Sequence, residues 1–429
     1  MPSPRAMITV ALAVAAGALL PALASAKECP LAPLIPCNNP PHQPSSGPGP
    51  GPGPGSVPSE PPVSEPVKLA PPLAIGLTEG DPRLLVPSGI TQIVARKAVA
   101  LKPAYVRVLV PWERLQPYVN RKPNWDAPPG GCPPINPGCR SSNGLRSLLT
   151  AIRHRQDVDG GWKILVVPYF TPPWAAIPFK GCQRKRSRHS RAQLPRIAPY
   201  RTFLRGLNAL GDKVGVKLDY ITPWNEPNHP GFLQPQRMVC NRLFKAVSPA
   251  AYATLVRAAQ KELRYEQTIV LGSLAGLRQP RTYGAGAAEF IKGLPRDVAC
   301  VDGPFSQHAY VGRPGRGGGE PRRANPASAS QSSLFDDVLG ALDAKGCAQN
   351  KRLWIGETGT FDHRCEAMSA ALREWARHDR IDAAFQYTFR EAHAFPVGLV
   401  SPSMKLTYGS YRAWFAFAGN PQKLPPNPC

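Results

Sequence analysis

Short apolar runs alternate with helical patterns along most of this sequence, and this alternation restricts the fold more than any other feature. The runs occupy residues 74–77, 105–110, 163–167, 220–222, 268–271, 301–307, 352–355 and 383–387. They are apolar on both faces, as expected of strands that are covered on both sides of a sheet. The sequence therefore predicts eight buried strands.

The segments between these runs carry apolar residues at helical spacing. After Val247, Pro249 suits a first helical turn, and an apolar stripe runs from Tyr252 to Leu263. Comparable stripes occupy residues 145–155, 200–210, 334–342 and 368–375. Eight strands alternating with helices over about 350 residues predict an α/β fold, a (β/α)8 TIM barrel, with an open doubly wound sheet as the rival.

The first 67 residues predict export followed by a spacer. Arg5, an apolar run and the small residues Ala24-Ser25-Ala26 form a signal-peptide pattern over residues 1–26, with an uncleaved anchor as the alternative. Residues 27–67 hold Cys29, Cys37 and a Pro/Gly-rich linker, with eleven Pro and five Gly between positions 38 and 67. We expect the barrel at 68–420, a tail at 421–429, no membrane span, and a secreted, extracellular protein that could associate with a cell wall.

The spacing of the cysteines and the absence of several catalytic motifs restrict the classes of site that this sequence can form. The ten cysteines show no C-x-x-C and no zinc-site spacing, so we expect disulfides and no metal. Their pairing stays open; Cys132–Cys139 is the first guess, because the intervening Pro-Pro-Ile-Asn-Pro-Gly favours a turn. The sequence has no G-x-S-x-G, Walker loop, H-E-x-x-H or strand-linked G-x-G-x-x-G, and no cofactor is expected.

Two glutamates follow buried strands at the end of the barrel where functional residues lie. Glu226 stands in Thr-Pro-Trp-Asn-Glu-Pro-Asn after the fourth strand, and Glu357 stands in Trp-Ile-Gly-Glu-Thr-Gly-Thr at the end of the seventh. Strands four and seven face each other across the mouth of such a barrel, so both carboxylates can reach one substrate. Glycoside hydrolysis uses such a pair, one protonated and the other ionised.

These two segments resemble the retaining glycoside hydrolases of clan A, notably families 5 and 39. The resemblance covers the whole barrel region, and Trp-Asn-Glu-Pro is its most specific motif. It implies that Glu226 is the general acid/base and that Glu357 is the nucleophile. It also implies that Asn225 hydrogen-bonds the 2-hydroxyl of the sugar. The alternative is a structural ion-pair network.

The resemblance extends to three more polar residues. Arg107 matches an arginine on strand two that lies near the nucleophile and keeps it ionised. His308 and Tyr310 match a His-x-Tyr after strand six, whose tyrosine hydrogen-bonds the nucleophile. A salt bridge inside the barrel for Arg107, and ordinary core roles for His308 and Tyr310, are the alternatives.

Aromatic residues are candidates for stacking on sugar rings. Trp112, Trp174 and Trp224 are such candidates, although packing explains each of them equally well. The related families often place a tryptophan at the end of strand eight, where this chain has Phe-Gln-Tyr-Thr-Phe-Arg at 385–390. Tyr387 or Phe389 could replace it, and Arg390 indicates an anionic group nearby.

Three further carboxylates lie in predicted loops near the mouth. Glu79, Glu113 and Glu391 are expected to be solvated.

Positive charge dominates the surface, since 52 Lys and Arg stand against 28 Asp and Glu, a formal net charge of +24. Residues 180–196 carry seven Lys/Arg and no acid, and residues 312–323 carry four Arg and one Glu. Both segments follow strands at the catalytic face, so they form either a rim that attracts anionic polysaccharides or simply solvated loops. No nucleic-acid-binding motif accompanies the charge, so we expect no nucleic-acid partner.

The sequence therefore predicts a secreted retaining glycoside hydrolase that acts on a carbohydrate substrate, with an anionic one as an option. Two other classes remain open: an inactive carbohydrate-binding barrel, and a basic cell-surface binding protein with a Pro-rich stalk. The pair of strand-end glutamates favours the enzyme over both.

Overall fold

One parallel sheet runs through the part of the chain that the computed structural model describes, residues 73–87, 89–127, 144–180, 190–238, 245–277, 284–312, 331–392, 395–419 and 428–429. Its strands are β1 (Ala74–Thr78), β2 (Tyr105–Pro111), β3 (Lys163–Tyr169), β4 (Tyr220–Ile221), β5 (Thr268–Ile269), β6 (Leu271–Leu274), β7 (Phe305–His308), β8 (Leu353–Thr358) and β9 (Ile381–Tyr387). The signal peptide, the linker, the Cys132–Cys139 pair and most of both basic segments lie outside the described residues.

The strands pair in the order β5-β4-β3-β2-β1-β9-β8-β7-β6. Only Val270 separates β5 from β6, and its N–H donates to the carbonyl of Ile221 at 2.9 Å, which continues the ladder through the gap. β5 and β6 are therefore two halves of one strand, and the sheet closes as a barrel of eight staves. The predicted (β/α)8 fold is confirmed, and the open doubly wound sheet is wrong.

Helices follow the strands and cover the outside of the sheet. Four of the five predicted helical stripes lie within longer helices, whereas the stripe from Tyr252 to Leu263 runs three residues past the end of its helix at Gln260. The described helices are α1 (Gln92–Ala100), α2 (Trp112–Leu115), α3 (Leu145–Asp159), α4 (Ile197–Val214), α5 (Ser248–Gln260), α6 (Ala287–Gly293), α7 (Arg296–Ala299), α8 (Ser332–Asp343), α9 (Cys365–Arg377) and α10 (Ser410–Gly419).

A small apolar cluster fills the inside of the barrel. Leu165, Val167, Trp354 and Phe385 are among its buried members, while a much larger cluster packs the helices onto the outer faces of the strands. The inside is tight: a Cβ at Gly76 would lie 2.2 Å from the ring of Phe385. Both faces of the strands are therefore buried, which explains why their sequences are apolar without alternation.

The sixth predicted strand starts later than its sequence suggests. The apolar run begins at Val301, but β7 begins at Phe305. Gly303 has a φ of 111°, a conformation that an L side chain rarely adopts, and Pro304 has no N–H to donate to a ladder. These two residues delay the strand although Val301 is apolar.

A cavity of about 800 Å³ opens at the amino ends of the strands, where Tyr105, Tyr220 and Trp354 pack against one another. Two acids line this cavity, Asp302 and Asp382, and Asp382 is paired with Arg352. The cavity lies at the opposite end of the barrel from the carboxyl ends of the strands. Within the described ranges, no helix is both long and apolar enough to cross a membrane.

Two disulfides are described, Cys300–Cys347 and Cys365–Cys429. The second links Cys429 to the first turn of α9, across a sequence separation of 64.

Opening the Cys365–Cys429 disulfide should destabilise the fold. Cys429→Ser frees a loop whose closure restricts the unfolded chain, so we expect the free energy of unfolding to fall by about 2–4 kcal/mol. Urea unfolding of the oxidised protein and of the variant measures the difference. Adding reductant, which also opens Cys300–Cys347 in both proteins, should remove the difference between them; equal stabilities of the two oxidised proteins would contradict the expectation.

Candidate active site

Glu226 lies in the turn that follows β4, with its backbone fixed in an uncommon conformation. Its φ is 40°, and its N–H donates to the carbonyl of Ser273 at 2.9 Å. The side chain of Asn228, two residues on, bonds both the N–H and the carbonyl of Ala275, which joins this turn to the segment after β6. The Asn-Glu-Pro-Asn segment is thus held from the neighbouring stave of the barrel.

Glu357 owes its direction to an irregularity in β8. Trp354 faces the inside of the barrel, so strict alternation along the strand would send Glu357 outward. The register between β8 and β9 shifts between Ile355 and Thr358, and its register with β7 also shifts, so that Glu357 pairs with His308. This shift turns the carboxylate of Glu357 inward, where it is 6 % exposed.

The two glutamates meet at His308. The Nδ1 atom of His308 lies 2.9 Å from Oε1 of Glu226 and 3.4 Å from Oε2 of Glu357. One oxygen of each carboxylate and a ring nitrogen of His308 lie within 4.8 Å of one another. The structure therefore brings together the two acids that the sequence indicates, and Glu226 keeps some solvent exposure while Glu357 is buried.

Arg107 lies on the inner face of β2 and connects this pair to Asn225. Its Nη1 is 2.6 Å from Oε1 of Glu357, and its Nη2 donates to Oδ1 of Asn225 at 2.7 Å. With its amide oxygen used in this way, Asn225 keeps its NH₂ group for another acceptor. Tyr310 joins this network through its hydrogen bond to Glu357. All six polar residues that the sequence indicates are therefore connected: Arg107, Asn225, Glu226, His308, Tyr310 and Glu357.

The charge of Glu357 is maintained against its burial. Burial alone would raise the pKa of Glu357, but the Arg107 guanidinium, His308 and a 2.5 Å hydrogen bond from the Tyr310 hydroxyl outweigh it and hold the pKa below its usual range. Burial, and then the charge of Glu357, raise the pKa of Tyr310 well above its ordinary value, so this hydroxyl stays a donor. Glu357 is therefore an ionised carboxylate in a water-poor site.

The aromatic candidates divide into two groups. The rings of Trp112 and Trp224 are fully buried, Trp112 stacked on Phe203 and Trp224 edge-on to Tyr200. Neither has a free face, so their assignment as sugar platforms is wrong. The reason is that both face the helical layer, where packing uses the whole indole.

Trp174 and Tyr387 keep part of their surface exposed. Trp174 lies after β3, edge-on to Trp112, and its indole N–H donates to the carbonyl of Gln116. Tyr387 ends β9 on the inner face, with Phe395 and Tyr310 around its ring. Burial, and next the nearby Glu357, raise the pKa of Tyr387 far above its usual value. Tyr387 therefore borders the carboxylate pair.

Two of the three loop carboxylates, Glu79 and Glu391, are not solvated, contrary to the prediction. Glu79 is 4 % exposed, and it accepts hydrogen bonds from the backbone of Gly80, Asp81 and Arg390. Burial raises the pKa of Glu79, and this effect exceeds the opposing effect of Arg390.

Arg390 and Glu391 are likewise used inside the protein. The guanidinium of Arg390 lies 3.1 Å from the carboxylate of Asp81, so the anionic group near Arg390 belongs to the chain itself. Glu391 accepts from the Tyr408 hydroxyl at 3.0 Å and is paired with His363 at 2.5 Å.

Glu113 is half-buried, with no side-chain hydrogen bond to the described residues.

Ser273, which no sequence pattern indicates, lies within hydrogen-bonding distance of both Arg107 and His308. A serine at the end of a short strand carries no chemical signal of its own. Tyr169, at the end of β3, was missed for the same reason. Burial raises its pKa to about 12, while Arg114, Arg107 and Arg191 act in the opposite direction.

Glu226, His308 and Glu357 are also the described residues whose spacing could admit a metal ion. Both oxygens of Glu357 are already used, Oε1 by Arg107 and Oε2 by Tyr310. A guanidinium thus stands where a metal would neutralise the carboxylate, so the donor set fits proton chemistry better than metal ligation.

Comparison with known proteins points to the same fold. No family model and no curated protein matches the sequence. Among solved structures, a glycoside hydrolase family 39 β-xylosidase from Caulobacter crescentus is 14% identical with a TM-score of 0.50, and the match covers 82% of this chain and 73% of that one. A monomeric β-xylosidase from the same organism (15%, TM-score 0.49, 82% and 70%) and a family 5 enzyme from Bifidobacterium longum (12%, 0.48, 81% and 78%) are also similar. At this low identity the likeness shows the fold alone: the chain has the same kind of barrel as the family 39 β-xylosidase.

Removing the Tyr310 hydroxyl should raise the pKa of Glu357. Tyr310→Phe deletes one of the interactions that oppose burial, so Glu357 should become protonated at a higher pH than in the wild type. A ¹³C NMR titration of labelled glutamate side chains measures this directly. Tyr408→Phe, which removes a hydroxyl bonded to Glu391, is the matched control and should leave Glu357 unchanged. An unaltered titration of Glu357 in Tyr310→Phe would show that the hydroxyl has no such effect.

Proposed function

We propose that this protein is a secreted retaining glycoside hydrolase. The observation that supports this best is the approach of a Glu226 oxygen to a Glu357 oxygen within 4.8 Å, at the carboxyl ends of opposite staves. Retaining enzymes hold their two carboxyl groups about 5–5.5 Å apart, whereas inverting enzymes leave about 6.5–9.5 Å for a water molecule. The spacing here favours direct attack by a carboxylate.

The surroundings of the two acids support a different role for each of them. Glu357 is ionised by the Arg107 ion pair and aimed inward, which suits the nucleophile. Glu226 is more exposed, and its Oε1 bonds His308. Among the described residues nothing bonds its Oε2, which leaves that oxygen for the glycosidic oxygen of a substrate. Glu226 therefore suits the general acid/base.

The reaction proceeds in two displacements. Glu226 gives its proton to the departing oxygen while Glu357 attacks the anomeric carbon and forms a glycosyl-enzyme. Glu226, now ionised, takes a proton from water as that water attacks the same carbon and releases Glu357. Asn225 offers its NH₂ to the sugar 2-hydroxyl, a contact that strengthens as positive charge develops on the ring.

The charge around the cleft supports an anionic carbohydrate as substrate. Arg114 and Arg191 both act on Tyr169 at the end of β3, and neither forms a salt bridge with the described residues. The guanidinium carbon of Arg191 lies 4.4 Å from the ring of Phe170, which itself stacks on Phe232 at 5.5 Å. A guanidinium that rests on an aromatic ring and has no salt bridge to the described residues suits the carboxylate of an acidic sugar. Trp174 and Tyr387 are further substrate-facing candidates.

Secretion and association with a cell wall are part of the proposal and rest on the signal-peptide pattern and the net charge of +24. Reducing-end release from a panel of neutral and acidic polysaccharides tests the activity. Release from an acidic polymer is the expected result. Binding of glycans by the wild type without any release would favour the inactive carbohydrate-binding barrel instead.

Loss of the Glu357 carboxylate should abolish turnover. Glu357→Gln keeps the shape of the side chain but cannot attack, so we expect at least about a 10,000-fold fall in kcat, the scale on which removal of one member of a catalytic unit acts. Azide should partly restore Glu357→Ala, because a small anion can occupy the space and attack the anomeric carbon. Wild-type-like activity of Glu357→Gln would end the assignment. Asp382→Asn, at the far end of the barrel, is the control.

Loss of the Glu226 proton should depend on the leaving group. Glu226→Ala should lower kcat/KM by about 100- to 10,000-fold for phenyl glycosides, whose leaving group needs a proton. With dinitrophenyl glycosides, which leave unaided, the first displacement should persist and give a burst of dinitrophenol followed by slow release of the sugar. Equal losses on both substrates would contradict the acid/base role.

A further inference from the structure

Ser273 lies where three parts of the site meet. Its side chain is 1 % exposed, and its Oγ is 3.4 Å from Nη2 of Arg107 and 2.8 Å from Nε2 of His308. Its carbonyl accepts the N–H of Glu226 at 2.9 Å. One residue thus contacts the cation beside the proposed nucleophile, the imidazole between the two acids, and the backbone of the proposed acid/base.

A local distortion of β6 aims this side chain into the site. Gly272 and Ser273 have φ values of 81° and 54°, and the register with β7 shifts between Gly272 and Leu274. A Cβ at position 272 would lie 2.6 Å from the carbonyl of Ser306, so only glycine fits there. Glycine allows the bulge, and the bulge turns the hydroxyl of Ser273 towards Arg107 and His308.

The direction of the hydrogen bonds follows from what each group can donate. Arg107 can only donate, so the oxygen of Ser273 accepts from it. The hydroxyl hydrogen of Ser273 is buried, and His308 Nε2 is the acceptor within reach. An Nε2 that accepts carries no hydrogen, so the hydrogen of the neutral imidazole resides on Nδ1. That Nδ1–H points to Oε1 of Glu226 at 2.9 Å, with Oε2 of Glu357 at 3.4 Å.

We infer that Ser273 is a positioning residue that holds His308 in its Nδ1–H tautomer and thereby keeps the acid proton of Glu226 on the oxygen that faces the substrate. The inference rests on the proposed function, because it concerns the same acid. With Nδ1–H donating to Oε1, this oxygen is an acceptor, and the transferable proton of Glu226 resides on Oε2. The three hydrogen bonds then all point the same way, from Arg107 to Ser273, from Ser273 to His308, and from His308 to Glu226.

The opposite tautomer would disable the acid. With the hydrogen on Nε2, the lone pair of Nδ1 would face oxygens of both carboxylates. Glu226 could then relieve the repulsion only by donating its proton to His308, away from the glycosidic oxygen. Ser273 touches no reacting atom in this scheme, so its effect reaches the reaction only through His308 and Glu226.

The kinetic test uses Ser273→Ala, which keeps the Cβ at this positive φ and removes only the hydroxyl. Against aryl glycosides from dinitrophenyl to phenyl, we expect kcat/KM to fall about two- to tenfold for phenyl, the weight of one hydrogen bond between neutral groups, and to change little for dinitrophenyl. Ser369→Ala removes a buried hydroxyl in α9 and is the matched control. An equal loss across all leaving groups would reduce Ser273 to a structural role and overturn the inference.

The tautomer can be measured without any variant. In ¹⁵N-histidine-labelled wild type, long-range ¹H–¹⁵N spectra should show His308 protonated at Nδ1 and bare at Nε2 in the neutral pH range. A hydrogen on Nε2 of the neutral ring would overturn the inference. If Glu357→Gln stays active, the proposed function itself fails; if Glu226→Ala depends on the leaving group and Ser273→Ala does not, only the role of Ser273 fails.

Discussion

The buried ion pair between Arg107 and Glu357 is the interaction on which the rest of the site depends. Both side chains are almost fully withdrawn from water, and each would be costly there without the other. Removing one partner of such a pair costs roughly 3–5 kcal/mol, because it leaves a buried charge uncompensated. The same guanidinium bonds Asn225 and lies beside Ser273, so one cation on β2 fixes polar groups from three other staves of the barrel.

The fold could be predicted from the sequence because burial on both faces leaves a simple pattern. β3 is an apolar run after its first residue, Lys163, β9 is interrupted only by Asp382 and Gln386, and the helices α4 and α8 carry clear stripes. What the pattern could not predict were local breaks: the delayed start of β7 at Phe305, and the interruption at Val270. Short helices such as α2 and α7 also lack a stripe long enough to recognise.

Residues of the candidate site could be predicted from the sequence where burying that type of side chain costs free energy. The other site residues could not be predicted. A glutamate just after a buried strand, as at 226, or near its end, as at 357, indicates a site because a charge there needs a partner or a role. The face that a tryptophan presents depends on packing between distant elements, so the sequence alone does not show that Trp224 is fully buried. Arg390, Glu79 and Glu391 find partners far away in sequence, so their burial could not be read locally. Ser273 becomes notable only through the bulge that aims it.

The measurement that tests the central claim most directly is to trap the glycosyl-enzyme. A 2-deoxy-2-fluoro glycosyl fluoride slows both displacements, and the slow second step lets the covalent intermediate accumulate for mass spectrometry of the digested protein. The account predicts one fluorosugar attached to the peptide that contains Glu357, through an ester that hydroxylamine cleaves. A stable label on Glu226, or hydrolysis of natural substrate with inverted anomeric configuration and no label at all, would contradict it.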